Sequence, residues 1–213
     1  IINLNNISKD IRRLTIYKIL LEFLTTGKQL KIIIHNHITN LDINDRKFIF
    51  ETCNGVIENY ILITSLIKKF SKVKNSNKTA SILLFSIYHQ IFYDKIPDYA
   101  VINSAVELSK YKNLKNYNFI NAILRKISRM ESLDIFDENV KHSYPKWLYS
   151  IFLKQFGYNN LNKLIDWNKN NRNIYLRQIN SDNFLKISLF LRKNSINHTI
   201  YKDYTDYIKL NKV

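Results

Sequence analysis

Apolar residues recur at helical spacing along most of the chain, and the clearest run lies in its middle. Between Ile82 and Arg129 the pattern predicts three consecutive amphipathic helices. Ile82, Leu83, Phe85, Tyr88, Ile91 and Phe92 form the inner face of the first. Asp94 to Pro97 breaks that pattern, because a proline has no N–H and pushes the preceding Ile96 out of the α region. The same proline suits the first turn of a second helix, whose inner face is Val101, Ala105 and Leu108. A polar link, Lys112–Asn116, leads to a third helix with Phe119, Ile120, Ile123, Leu124 and Ile127 turned inward. Arg125, Lys126 and Arg129 mark its outer edge and tail.

Upstream, Ile11, Leu14, Ile19 (or Tyr17), Leu20 and Leu24 predict an amphipathic first helix, with Ser8 as its N-cap and Gly27 as its stop. Arg12, Arg13 and Lys18 lie on or beside its polar face. The short apolar segment Leu30 to Ile38 reads as helix from its place between two helices. Residues 41–70 read as one long helix or a pair broken near Gly55, capped by Asp42 or Asn44. Asp45 there suits the positive end of the helix dipole. The basic stretch 71–79 reads as a link.

Past Arg129 the composition changes. Residues 130–140 are acidic and read as a linker. Trp147, Leu148, Ile151, Phe152 and Phe156 then share one helical face ending at Gly157, and Leu161, Leu164, Ile165 and Trp167 share another. Residues 174–179 alternate as a strand does. Asp182–Asn194 holds a helical face of Phe184, Leu185, Leu189 and Leu191 or Phe190, and two short alternating stretches follow.

Composition narrows the class. The chain has 213 residues, 46% of them hydrophobic, with only 3 Gly and 2 Pro, which favours packed long helices over a turn-rich β fold. Its net charge of +16 points to an anionic partner, nucleic acid or an anionic membrane surface. The competing explanation is a coding bias toward Lys, Asn, Ile and Tyr. The single cysteine, Cys53, excludes an internal disulfide framework. No apolar run approaches the ~20 residues of a spanning helix, and nothing resembles a signal peptide. A cytoplasmic, soluble protein is expected.

The succession IYHQIFYDKIPDYAVINSAVELSKY and NFINAILRKISR resembles the NusB-type helical domain, a module used to bind RNA. That domain occurs alone in transcription antitermination factors, and at the N-terminus of RsmB (Sun) type rRNA cytosine-C5 methyltransferases. The stretch from His142 to Asn180 is similar to the segment that follows it in the methyltransferases. The resemblance implies a mainly α fold: a NusB-like bundle over 8–130, a linker and two-helix connector over 131–171, and over 172–213 the start of a small α/β subdomain of RRM or ferredoxin-like type. Glu58 stands where the methyltransferases often carry arginine.

Methyl transfer needs a Gly-rich turn for S-adenosylmethionine and an activated cysteine. Gly27, Gly55 and Gly157 are isolated, and Cys53, although it follows Thr52, falls mid-helix and reads as a buried packing residue. No catalytic residue and no cofactor site are expected in these residues. S-adenosylmethionine is expected only if a catalytic domain follows. His35 and His37 sit at i and i+2, on different helical faces, so no metal site is expected. RNA binding remains, with rRNA as the first partner. Its expected contacts are Arg12, Arg13 and Lys18, then Arg125, Lys126 and Arg129, and then Arg172 and Arg177 with Lys186. The resemblance places Arg12 and Arg13 first among them. Two alternatives stand beside the methyltransferase reading: a non-enzymatic antitermination factor working with a ribosomal protein, and a degenerate remnant of the enzyme.

Overall fold

The computed structural model describes residues 4–71, 75–94, 96–170, 174–177, 184–200 and 207–210. They divide into two compact units, Ile1–Ser150 and Ile151–Val213.

The first unit is built of helices: α1 (Leu4–Thr26), α2 (Leu30–Ile38), α3 (Ile43–Glu58), α4 (Tyr60–Phe70), α5 (Asn77–Phe92), α6 (Asp98–Tyr111), α7 (Tyr117–Ile127) and the short α8 (Glu138–Lys141). Helix α5 organises them. Thr79, Ile82, Leu83, Leu84, Phe85, Ser86, Ile87 and His89 are all buried, so it is covered on every side. An all-round apolar helix belongs in an interior, and α1, α3, α4, α6 and α7 all pack against this one. Val101, Ala105 and Leu108 of α6 and Ile120, Ile123, Leu124 and Ile127 of α7 are buried as their spacing predicts. Gly27 ends α1 in the left-handed region (φ 65°), with its N–H donating to the Phe23 carbonyl at 3.0 Å. Asp42 caps α3 by accepting from the Asn44 and Asp45 N–H groups at 2.9 and 3.0 Å.

Several expectations are corrected. Helix α1 begins at Leu4, so Ser8 is inside it and not its cap. No proline or glycine lies before Ser8 to stop the helix from extending. Ile11 faces outward, and Ile16 takes a core position that the spacing had not assigned. The break between α3 and α4 falls at Asn59, not near Gly55. Gly55 is a helical residue whose missing side chain matters for packing: a Cβ there would overlap the Tyr88 ring and hydroxyl. Pro97 caps α6 rather than occupying its first turn. The link before α5 is shorter than expected, because Ser76 caps that helix through the Thr79 N–H at 3.3 Å. The acidic stretch 130–140 is not a free linker. Met130, Leu133, Phe136 and Val140 pack on the core, and α8 lies against α4. The Ser143 hydroxyl then accepts the Ile61 N–H at 3.0 Å and satisfies the start of α4, which has no side-chain cap of its own.

Helix α9 (Lys146–Asn170) continues past the first unit and is interrupted at Gly157 (φ 72°), the predicted stop. In the second unit Leu161 and Ile165 are buried, whereas Ile151, Phe156 and Trp167 are exposed, as is Trp147 of the first unit. Periodicity marks an apolar face, but only a facing element can bury it. Strand β1 (Ile174–Arg177), α10 (Phe184–Lys193), β2 (His198–Ile200) and β3 (Tyr207–Leu210) give a β-α-β-β order and an antiparallel sheet arranged β1-β3-β2. Ile174 pairs with Leu210 and Arg177 with Tyr207, while Ile200 pairs with Ile208. On α10, Leu191 is buried, and Leu189 and Phe190 are exposed. The His198 Nδ1–H donates to the Ile196 carbonyl at 3.0 Å, so in the neutral ring Nε2 accepts from Ser188, 3.1 Å away.

Candidate nucleic-acid interface

The three basic groups expected from sequence lie in different settings. On α1, the Arg12 Nε is 3.1 Å from Asp45 Oδ1, and its guanidinium sits 5.3 Å from the centroid of Phe48. Arg12 therefore pins α1 to the first turns of α3 by an ion pair and a cation–π contact. Desolvation, and next the hydrogen bond with Asp42, hold the Asp45 carboxyl above its ordinary range against the pull of Arg12. Asp42 is held below its range, chiefly by the Asp45 N–H. Arg13 is half-buried, and its charge reaches the interior, where it helps to hold His89 neutral. Lys18 is exposed.

His89 itself is closed in by Phe48, Phe85, Tyr88 and Tyr93, with ring centroids 5.2–6.0 Å away. Its Nε2 shares a 3.1 Å hydrogen bond with the Thr52 hydroxyl. It is a core histidine. His37 donates through Nε2 to Glu22 at 2.9 Å, tying α2 to α1. Cys53 is fully buried and burial pushes its thiol up, so it lacks the thiolate that nucleophilic attack requires. Gly55 is filled against by Tyr88, and Gly27 and Gly157 each end a helical run. These residues do not fit S-adenosylmethionine or a methyl-transfer step.

The second group lies at the end of α7. Arg125, Lys126 and Arg129 are exposed, and the Arg125 Nε donates to Asn121 Oδ1 at 3.1 Å. Cations in a last turn also oppose the helix dipole, so this placement serves local stability whether or not RNA is bound. The structure does not bring this group to the first: α1 packs on α2, α3 and α5, and α7 on α4, α5 and α6. In the second unit Arg177 is exposed on β1 and Lys186 on α10, while Arg172 lies outside the described residues.

Folding reveals a basic surface that sequence reasoning had treated as a plain link. From the last two residues of α6 to the first of α7 the chain reads Lys110-Tyr111-Lys112-Asn113-Leu114-Lys115-Asn116-Tyr117. The Lys110 ammonium lies 5.2 Å from the Tyr117 ring, and that of Lys112 lies 5.0 Å from Tyr111 and 5.6 Å from Tyr17 of α1. Asn113 supplies the turn with a positive φ of 52°. Asn116 donates to the Thr79 hydroxyl at 2.6 Å, and Asn77 donates to the Leu24 carbonyl at 3.2 Å. These bonds fix the loop beside the start of α5 and the end of α1. Tyr111 is 65% exposed, and Lys78, Lys110 and Lys115 are exposed with it. None of the ion pairs among the described residues uses these lysines or Lys112. Unpaired ammonium groups interleaved with tyrosine rings are suited to phosphates and unstacked bases. The alternation of Lys with Tyr was the available signal.

The model of the NusB family matches residues 10–129, more than half of the chain. The chain belongs to the NusB family. The match ends just past α7, so the family domain lies within the first unit. Among curated relatives, the chain is 28% identical over 130 residues to the probable ribosomal RNA small subunit methyltransferase B of Bacillus subtilis (strain 168), covering 56% of this chain and 29% of that protein. It is 36% identical over 105 residues to the transcription antitermination protein NusB of Acetivibrio thermocellus, covering 46% of this chain and 72% of that one. The chain thus spans under a third of the methyltransferase it matches. Among solved structures, the NusB of a complex of antitermination factors NusB and NusE with dsRNA overlays at a TM-score of 0.53 and 17% identity, covering 57% of this chain and 96% of that one. PH0851 overlays at 0.66 and 14% identity, covering 95% of this chain and 48% of that one. These two likenesses concern the fold. The likeness to PH0851 runs over nearly the whole chain, whereas that to the antitermination factor covers little more than half of it.

Proposed function

We propose that this chain binds RNA and forms the non-catalytic N-terminal region of an RsmB-type rRNA cytosine-C5 methyltransferase. The observation that carries the RNA reading is the loop surface of Lys110, Lys112 and Lys115 with Tyr111 and Tyr117, free of carboxylate partners in a chain of charge +16. Lysines there take phosphates and fix the register of the bound strand. Tyr111 offers a ring for an unpaired base. Lys18, Lys126 and Arg129, exposed elsewhere on the first unit, add to the positive field that draws RNA in, and Arg12 and Arg13 contribute field while holding α1 in place. Methyl transfer, with its S-adenosylmethionine, belongs to a catalytic domain that these residues do not form.

The methyltransferase assignment is supported by the relative of that name and by the second unit, whose β-α-β-β order is the one expected of the small subdomain that follows the helical domain in such enzymes. The antitermination reading is favoured by the higher identity to the relative named for that activity, and it brings a ribosomal protein as partner. Fluorescence anisotropy with two RNAs separates them. Preference for a helix-rich small-subunit rRNA fragment supports the first. Preference for a single-stranded antiterminator leader supports the second, and binding to neither RNA overturns both.

A further inference from the structure

Away from the lysine–tyrosine loop, α2 and α3 leave an apolar groove between them. It has a volume of about 340 Å³ and is lined by Lys31, Ile32, Ile34, His35, Ile38 and Phe50. Ile34 forms its floor as a core residue, whereas Ile32 and Phe50 remain 52% and 49% exposed. Apolar side chains held open side by side on two packed helices form a concave face that water solvates poorly. The rim is cationic. Lys31 lines the groove from α2, and Arg46 and Lys47, both exposed, precede Phe50 by one turn on α3. Arg46 is fixed by donating from Nε to the Leu41 carbonyl at 2.6 Å. No carboxylate lines the cavity. Glu22 is bound by His37, Asp45 by Arg12, and Glu51 accepts from the Tyr93 hydroxyl.

We infer that this groove is a docking site for an amphipathic helix of a partner protein, with apolar anchors on one face and Asp or Glu on its flanks. The apolar floor selects against a nucleic-acid occupant, whose backbone would meet Ile32 and Phe50 instead of the ammonium groups. The rim selects acidic flanks by charge complementarity. The length of α2 admits two to three turns of a docked helix, about 13 Å, which brings anchors at i, i+3 and i+7 over Ile32, Phe50 and Ile38.

A display library of helical peptides of about 16 residues, selected against the full chain, tests this. The expected result is enrichment of sequences with three apolar anchors on one face and acidic flanks. Phe50→Asp is expected to weaken the best of them at least about tenfold, and Lys31→Glu/Lys47→Glu to shift the preference toward basic flanks. RNA affinity stays unchanged in Phe50→Asp, which keeps this site separate from the RNA surface. Lack of enrichment, flanks that are not acidic, or binding indifferent to Phe50→Asp would overturn the assignment. So would self-association, or binding to phosphatidylserine vesicles, that Phe50→Asp abolishes, since the occupant would then be a second copy or a membrane.

Discussion

Acidification is expected to unfold the first unit through His89. This imidazole is 3% exposed inside a ring of aromatic side chains, and burial first, then the charge of Arg13, brings its pKa from an ordinary 6.5 down to about 4. The folded state therefore holds His89 neutral where the unfolded chain would already be protonated. The stability this gives is complete above the unfolded pKa and is lost as pH falls toward the folded one. Each pKa unit corresponds to 1.36 kcal/mol, so the loss between about pH 7 and pH 4 comes to about 3 kcal/mol. Urea unfolding followed by circular dichroism across that range measures it in the wild type and in His89→Leu, which cannot titrate there. Carboxylates held below their ordinary range, Asp42, Asp134 and Glu138, add acid sensitivity of their own, but equally in both proteins. The difference between the two pH profiles isolates His89. His89→Leu is expected to be less stable near neutral pH, where the Thr52 hydroxyl loses its partner, and less acid-sensitive. Parallel profiles would refute the reasoning. Arg13→Gln removes the repelling charge, so it is expected to narrow the pH window by raising the His89 pKa.

Three further predictions concern packing and partners. Gly55→Ala is expected to destabilise the first unit by about 1–3 kcal/mol, since its methyl group meets the Tyr88 ring; pairing it with Tyr88→Leu should cost less than the two separate losses in urea denaturation. Ser143→Ala is expected to cost about 1 kcal/mol by leaving the Ile61 N–H without its acceptor, read as a lower urea midpoint. Arg12→Ala is expected to lower the thermal midpoint, because it removes both the Asp45 ion pair and the Phe48 contact. An unchanged midpoint would show that α1 does not need that pin.

The helical half of the fold was legible because its signals are local. The face of Ile120, Ile123, Leu124 and Ile127, the stop at Gly27 and the cap at Asp42 all follow from spacing or from one residue's chemistry. What was misread depended on tertiary partners. Gly55 looks like a breaker in sequence and is a packing residue because Tyr88, on another helix, needs its space. Residues 130–140 look like an acidic tether, yet Leu133 and Phe136 reach the core. The basic residues show the same limit. Arg12 read as a surface contact, and the fold gives it Asp45 and Phe48. Lys112 read as part of a polar link, and the fold sets it over Tyr17. Charge is visible in a sequence. Its availability is decided by what the chain places next to it.

Lysines of the 110–117 segment are expected to hold RNA phosphates, a contact that salt weakens. Anisotropy titrations of a labelled single-stranded RNA between about 50 and 200 mM KCl give the slope of log affinity against log salt. Lys110→Ala/Lys112→Ala/Lys115→Ala is expected to bind more weakly at low salt, with a slope shallower by about 2, at about 0.7 per lost phosphate contact. Its circular dichroism and urea midpoint are expected to stay near those of the wild type. A triple variant with wild-type affinity and slope would rule out this segment and move the RNA surface elsewhere on the chain.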